Sequence, residues 1–167
     1  MKKPKRKKKR GLSGTGVKRT PADLIRILSK TSPKGDTANI SRIFLGLTKG
    51  RCPSNRQRGH CANGPLVMGS VEGQRVLDEA ANDAGIQGST SYHARGAWEG
   101  KPDPTVVFES LHIGKDDPAP FRAKMNAMAR EAGRRACQDA VMVVHQGKEH
   151  ATVNFISHLG KRERRHC

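Results

Sequence analysis

Three side chains in one loop have the chemistry to hold a metal. Cys52, His60 and Cys61 lie within ten positions of an Arg-rich stretch. A closed zinc site needs four ligands, usually as paired cysteines and histidines. No second Cys-x-x-Cys pair follows, and His166 and Cys167 would complete a set only if the tail folded back. Cys137 sits at the end of an apolar-striped segment among small residues and reads as a packed thiol. Free thiols are therefore the expected state, with Cys52, His60 and Cys61 the candidate ligands if a metal binds, and no cofactor is expected. His93, His112, His145, His150 and His158 fall on expected strands or at their ends. Alternation sets His145 opposite His150 across the last hairpin. Glu99, Asp103 and Glu109 surround an earlier hairpin. A solvated edge explains these carboxylates, and a metal-dependent nuclease is the chemistry they would otherwise serve. None of these sets has a spacing specific to catalysis, so an enzyme is not the expectation.

The strongest chemical signal is charge. The chain has 167 residues and a formal net charge of +17. Residues 1–60 hold 18 Lys and Arg against 2 acidic residues, while residues 61–157 hold 10 against 12. Lys2, Lys3, Lys5, Arg6, Lys7, Lys8, Lys9 and Arg10 form an arm that repels itself and buries nothing. Lys18 and Arg19 extend it, and Arg42, Lys49, Arg51, Arg56 and Arg58 continue the basic character. Such residues neutralise phosphates and release counterions. No aromatic residue interleaves the arm, so backbone contacts are expected rather than base stacking. DNA or RNA is the expected partner.

The elements that must position these residues follow from periodicity. Residues 1–19 read as a disordered basic arm and linker. Residues 20–66 read as a short helical hairpin followed by an Arg-rich loop, with helices over 20–30 and 37–48. The second helix rests on Ile40, Ile43, Phe44 and Leu47 at helical spacing. A helix-turn-helix would place Arg42, Lys49 and Arg51 toward a groove, but its turn is too long. Residues 67–158 read as the body, in the order α-β-β-α-β-β. Helices are expected over 71–84, stopped by Gly85, and over 117–136; strands over 89–97, 104–111, 140–144 and 150–156. The class is α+β: a four-stranded, mainly antiparallel sheet with two helices on one face, preceded by the basic arm and the short helical segment. AVMVV at 140–144 is the expected central strand. Residues 159–167 read as a basic C-terminal tail.

One pattern resembles a known group. Gly96, Trp98 and Gly100 make a Gly-x-aromatic-x-Gly turn, followed by Asp103 and the strand residue Val107; Gln138, Asp139 and Val141 follow a helix. This is similar to small bacterial and phage proteins, with Trp98 where Tyr is commoner and Asp103 where Glu is commoner. The resemblance covers under half of the chain. It implies an α+β fold and a phage origin, and no mechanism.

The function expected from these readings is a nucleic-acid-binding accessory protein, phage-encoded, contacting phosphates through its basic N-terminal region. A protein partner or a homodimer would dock through the body. The alternatives are a structural or interaction component, such as a virion protein or inhibitor, and the metal-dependent nuclease. No apolar run is long enough for a transmembrane helix, and no secretory signal opens the chain. The expected place is intracellular, nucleoid-associated or packaged in a virion, and nuclear if the host is eukaryotic.

Overall fold

A computed structural model describes residues 37–57, 59–93, 97–98, 101–114, 116–147, 150–165 and 167. The basic arm, the expected helix over 20–30, Arg58, Gly96, Glu99 and Gly100 lie outside the described residues.

The chain from Thr37 to Gly46 is a ten-residue strand, β1, where helical spacing predicted a helix. It lies in the middle of the sheet, so apolar residues are wanted on both of its faces, which blurs the strand period. Ile43 and Leu45 point into the core, and Ile40 is buried on the other face. The helix-turn-helix loses its second helix to this strand.

The two long helices and four longer strands of the body follow the expected order, and a short helix, a 3-10 turn, a two-strand pair and a last short helix are added to them. Residues Pro53–Gln57 form a short helix, α1, and Gly59–Cys61 a single 3-10 turn. The long helices are α2, Ser70–Ala84, and α3, Ala119–Arg135. Gly85 ends α2 with φ 66°, the left-handed conformation that glycine adopts without strain. The strands are β2 (Ser89–His93), β3 (Ala97–Trp98), β4 (Lys101–Pro102), β5 (Thr105–Gly114), β6 (Val141–Gln146) and β7 (Ala151–Ile156). A last short helix, α4, spans Lys161–Arg164.

The fold is α+β with an antiparallel sheet. That sheet has five strands, in the order β2-β5-β1-β6-β7, not four. The fifth strand is β1, in the middle of the sheet, and β6, which holds the residues expected to form a central strand, is the interior strand beside it. β3 and β4 pair separately at the tip of the β2–β5 connection.

The core forms where strand residues of one parity meet the helices. Ile43, Phe108 and Val143 are register partners across β5, β1 and β6, and all three are essentially unexposed. Val76, Leu77, Ala80 and Ala81 of α2, and Met125, Met128, Ala129 and Ala132 of α3, share their cluster. Gly73 lets α2 approach closely: a Cβ there would lie 2.5 Å from Leu47 Cδ2 and 3.0 Å from Val106 Cγ2. Arg135 of α3 reaches Asp83 of α2 at 2.6 Å, tying the two helices at their exposed margin. Among the described residues, no helix is long and apolar enough to cross a membrane.

Candidate functional site

Cross-strand register decides which side chains share a face. Partners of the core residues sit one position away and point to the opposite side. That side carries Ile40, Arg42 and Phe44 from β1, Val107, Glu109, Leu111 and Ile113 from β5, Met142 and Val144 from β6, and Val153 and Phe155 from β7. Ser91 and His93 of β2 complete its edge. Leu111, Ile113, Val153 and Phe155 are 44–54% exposed. Ile40 and Val107 are buried within it, and exposed apolar side chains such as the other four mark surface on which a ligand or another surface can dock.

One ion pair stands in the middle of this face. Arg42 and Glu109 are register partners on β1 and β5, and the Arg42 Nε donates to a Glu109 carboxylate oxygen. The guanidinium side chain is 20% exposed and the carboxylate side chain 36%. Glu109 is the sole carboxylate among the described strand residues of the face, with the Asp103 carboxylate at its margin beside Gly46. The arrangement offers one cation and one anion on strands, with rigid backbones beneath them. A ligand carrying both signs of charge would find a partner for each.

A second polar group lies beneath α3, on the core side of the sheet. Ser41 Oγ is 2.7 Å from His145 Nδ1, and His145 Nε2 is 3.0 Å from Asn126 Oδ1. The amide oxygen can only accept, so His145 carries its proton on Nε2 and accepts a hydrogen bond from the Ser41 hydroxyl on Nδ1. Burial, and then the nearby Arg122 charge, lower the pKa of His145. The order Ser–His–Asn resembles a nucleophile set, but Ser41 has no exposed surface. Its geometry satisfies buried polar groups; it gives substrate no access. His145 pairs in register with Thr152, not with His150 as the sequence suggested.

Asp103, Gln138 and Asp139, three residues of the resemblance, hold the loop after β1. Asp103 accepts the Thr48 backbone N–H at 3.1 Å, and Gln138 Nε2 donates to Thr48 O at 2.8 Å. Asp139 accepts from Arg51 N, Cys52 N and the buried Asn55 Nδ2 at 2.6–3.0 Å. His158 Nε2 closes this network on Asn55 Oδ1 at 3.0 Å, and burial holds its pKa below the ordinary histidine value. Gly50 is required by this packing, since a Cβ there would meet Asp139 N at 2.7 Å.

Of the basic residues expected to act together, Arg42, Lys49, Arg51 and Arg56 are among the described residues. Lys2 to Arg19 and Arg58 lie outside the described residues. Arg42 is on the sheet face, paired with Glu109. Lys49 is buried, its ammonium donating to Cys61 O and, at 2.8 Å, to Gly64 O. Arg56 donates to Gly50 O at 3.0 Å. Lys49 and Arg56 thus hold backbone carbonyls.

The cysteines are not free thiols. Cys52 is bonded to Cys167, and Cys61 to Cys137, leaving no free cysteine. Among the described residues, the group with metal-ligand geometry is His60, Cys61 and Cys137, so Cys137 takes the place that the sequence gave to Cys52. Sequence reasoning missed this because Cys137 lies 76 positions from Cys61.

No family model and no curated protein matches the chain. Two solved structures do. One is a phage SAM lyase in the apo state, with a TM-score of 0.54 and 18% identity over 72% of this chain and 89% of that one. The other is a phage SAM lyase in complex with S-methyl-5′-thioadenosine, with a TM-score of 0.46 and 16% identity over 71% and 89%. The expectation of a nucleic-acid-binding accessory protein is corrected by this finding, because the proteins that share the fold are enzymes of a different class. Their phage source agrees with the phage character expected of the chain. The apo lyase and this chain share an α+β fold built on an antiparallel sheet.

Proposed function

We propose that the chain is a lyase acting on S-adenosylmethionine or a close sulfonium relative, with Arg42 and Glu109 at the centre of its site. The observation that carries this reading is the backbone likeness to the apo lyase, which spans 72% of this chain and 89% of that one. In this reading both long helices stay on the core side of the sheet, and the face around the ion pair receives the substrate.

The substrate's charges fit the pair. Its amino-acid end carries a carboxylate, which suits the Arg42 guanidinium as a planar, two-toothed partner. Its sulfonium and ammonium groups are positive and suit Glu109. The surrounding Phe44, Val107 and Met142 supply the low-polarity setting in which such charges act strongly. Lyase cleavage breaks a carbon–sulfur bond, and the bonding pair goes to sulfur, which leaves as a neutral thioether. The four-carbon fragment then loses a proton to a base or closes on its own carboxylate. Glu109 is placed to take that proton or to oppose the developing charge.

The test is incubation of the chain with S-adenosylmethionine and mass-spectrometric detection of S-methyl-5′-thioadenosine. The wild-type chain should form it. Glu109→Gln should lower turnover by roughly a hundredfold or more, the scale of a lost acid–base group, while leaving the melting temperature nearly unchanged. No product from the folded wild-type chain would end the lyase reading. Full activity in Glu109→Gln would move the site elsewhere.

A further inference from the structure

The second chemically distinct cluster stands apart from the lyase reading and rests on its own geometry. His60 Nε2 lies 3.5 Å from Cys61 Sγ and 3.7 Å from Cys137 Sγ. The three ligand atoms fall within 4.8 Å of one another. A disulfide between Cys61 and Cys137 uses the two sulfurs, and the imidazole Nε2 that faces them also lies 3.2 Å from Arg135 O. A tetrahedral zinc ion explains all three. Bonds of about 2.3 Å to sulfur and 2.0–2.1 Å to nitrogen give nitrogen–sulfur edges of about 3.6 Å and a sulfur–sulfur edge of about 3.8 Å. Both nitrogen–sulfur separations already match, so only the two sulfurs must part.

Two further features fit a ligand set. Cys137 has φ 56° and is the one non-glycine residue with positive φ among the described residues. It follows α3 at the position where glycine normally closes a helix: Gln138 N donates to Gly133 O at 2.9 Å and Cys137 N to Arg134 O at 3.4 Å. A side chain held there at the cost of backbone strain is held for what its end group does. The Lys49 ammonium, fixed on the carbonyls of Cys61 and Gly64, holds the backbone of the loop that carries His60 and Cys61.

We propose that His60, Cys61 and Cys137 form a three-ligand site for zinc or a similar soft divalent cation when the Cys61–Cys137 bond is reduced. Two equivalents of a low-molecular-weight thiol supply two electrons and two protons and leave as their own disulfide. The cation then displaces the two cysteine protons to solvent and bonds both sulfurs and His60 Nε2. To ligate, His60 Nε2 releases its bond to Arg135 O, and the exposed ring then carries its proton on Nδ1. Three protein ligands leave the fourth position to water or another small donor. The bonded and metal-bound forms exclude each other, so the site also reads the redox state around it.

The experiment uses the full chain, reduced with a phosphine under nitrogen and titrated with Co2+, then with Zn2+ in competition. One Co2+ per chain should bind, with sulfur-to-cobalt charge-transfer absorption and the visible bands of a tetrahedral ion, and Zn2+ should displace it. Oxidised chain should bind none. His60→Ala should weaken binding by roughly a hundredfold or more, beyond the cost of losing a partner outside the ligand set. Cys137→Gly should abolish the charge-transfer band while relieving the left-handed strain, so its fold survives loss of the ligand. The double variant Cys52→Ser with Cys167→Ser should keep the site. Absence of Co2+ binding by the reduced wild-type chain would overturn the proposal. So would undiminished binding in Cys137→Gly, or binding lost only in the double variant. No readout here involves turnover, so failure of the lyase reading would leave these outcomes distinct.

Discussion

His145 shows how a single buried group sets a response of the whole fold to acid. Burial lowers its pKa from the ordinary 6.5, the Arg122 charge adds to the effect, and burial lowers that of His158 in the same direction. A histidine whose folded pKa is depressed binds protons more readily in the unfolded chain. Its contribution to stability is therefore complete above about pH 6.5 and is lost as pH falls toward the depressed value. The melting temperature should decline as pH is lowered from about 7.5 to 5.5. His145→Gln, which can still bond Ser41 and Asn126, should flatten that decline. A melting temperature equally pH-dependent in wild type and variant would assign the effect to other groups. Glu109 differs in kind: it is part-exposed on the open face and paired with Arg42, so its removal is expected to change chemistry rather than stability.

At the scale of elements, the close docking of α2 on the sheet invites a direct test. Gly73→Val would drive branched carbons into Leu47 and Val106, and overpacking of this kind costs about 1–3 kcal/mol. Val71→Ser, on the exposed side of the same helix, should leave the unfolding midpoint almost unchanged. Equal effects in denaturant titration would mean that α2 does not bury the Gly73 side. The helices over 70–84 and 119–135 were legible because each has one wet face and one dry face, which gives a clean period. Gly85 was legible as a stop because few other residues take its conformation. β1 was not. Its Ile40, Ile43, Phe44 and Leu47 satisfy helical spacing, while both neighbouring strands bury it and erase the simple alternation. The candidate site was visible only in halves. Arg42 stood out as a basic residue and Glu109 as one of an acidic trio, but 67 positions separate them, and only the β1–β5 register brings them together. Cys61 and Cys137 were divided in the same way.

At the scale of the molecule, the two disulfides decide how much of the fold is closed covalently. The Cys52–Cys167 bond joins residues 115 positions apart, and Cys61–Cys137 lies inside that span. In the chain-entropy account, closing a loop of the outer length stabilises the fold by about 5 kcal/mol. Cys52→Ser with Cys167→Ser should therefore lower the unfolding midpoint substantially, and little change would mean that the unfolded chain is already compact. The two rings are nested, and everything from Cys52 onward belongs to the outer one. β1 precedes both. Among the described strands, the one that joins the two halves of the sheet is thus the one outside both disulfide-closed rings. A single backbone cut between Gly50 and Cys52 would convert the protein into two pieces: a closed loop with a slot between β5 and β6, and a linear peptide that fills it. The protein is in that sense a split pair that happens to be translated as one chain, and the peptide half carries Arg42 while the loop half carries Glu109.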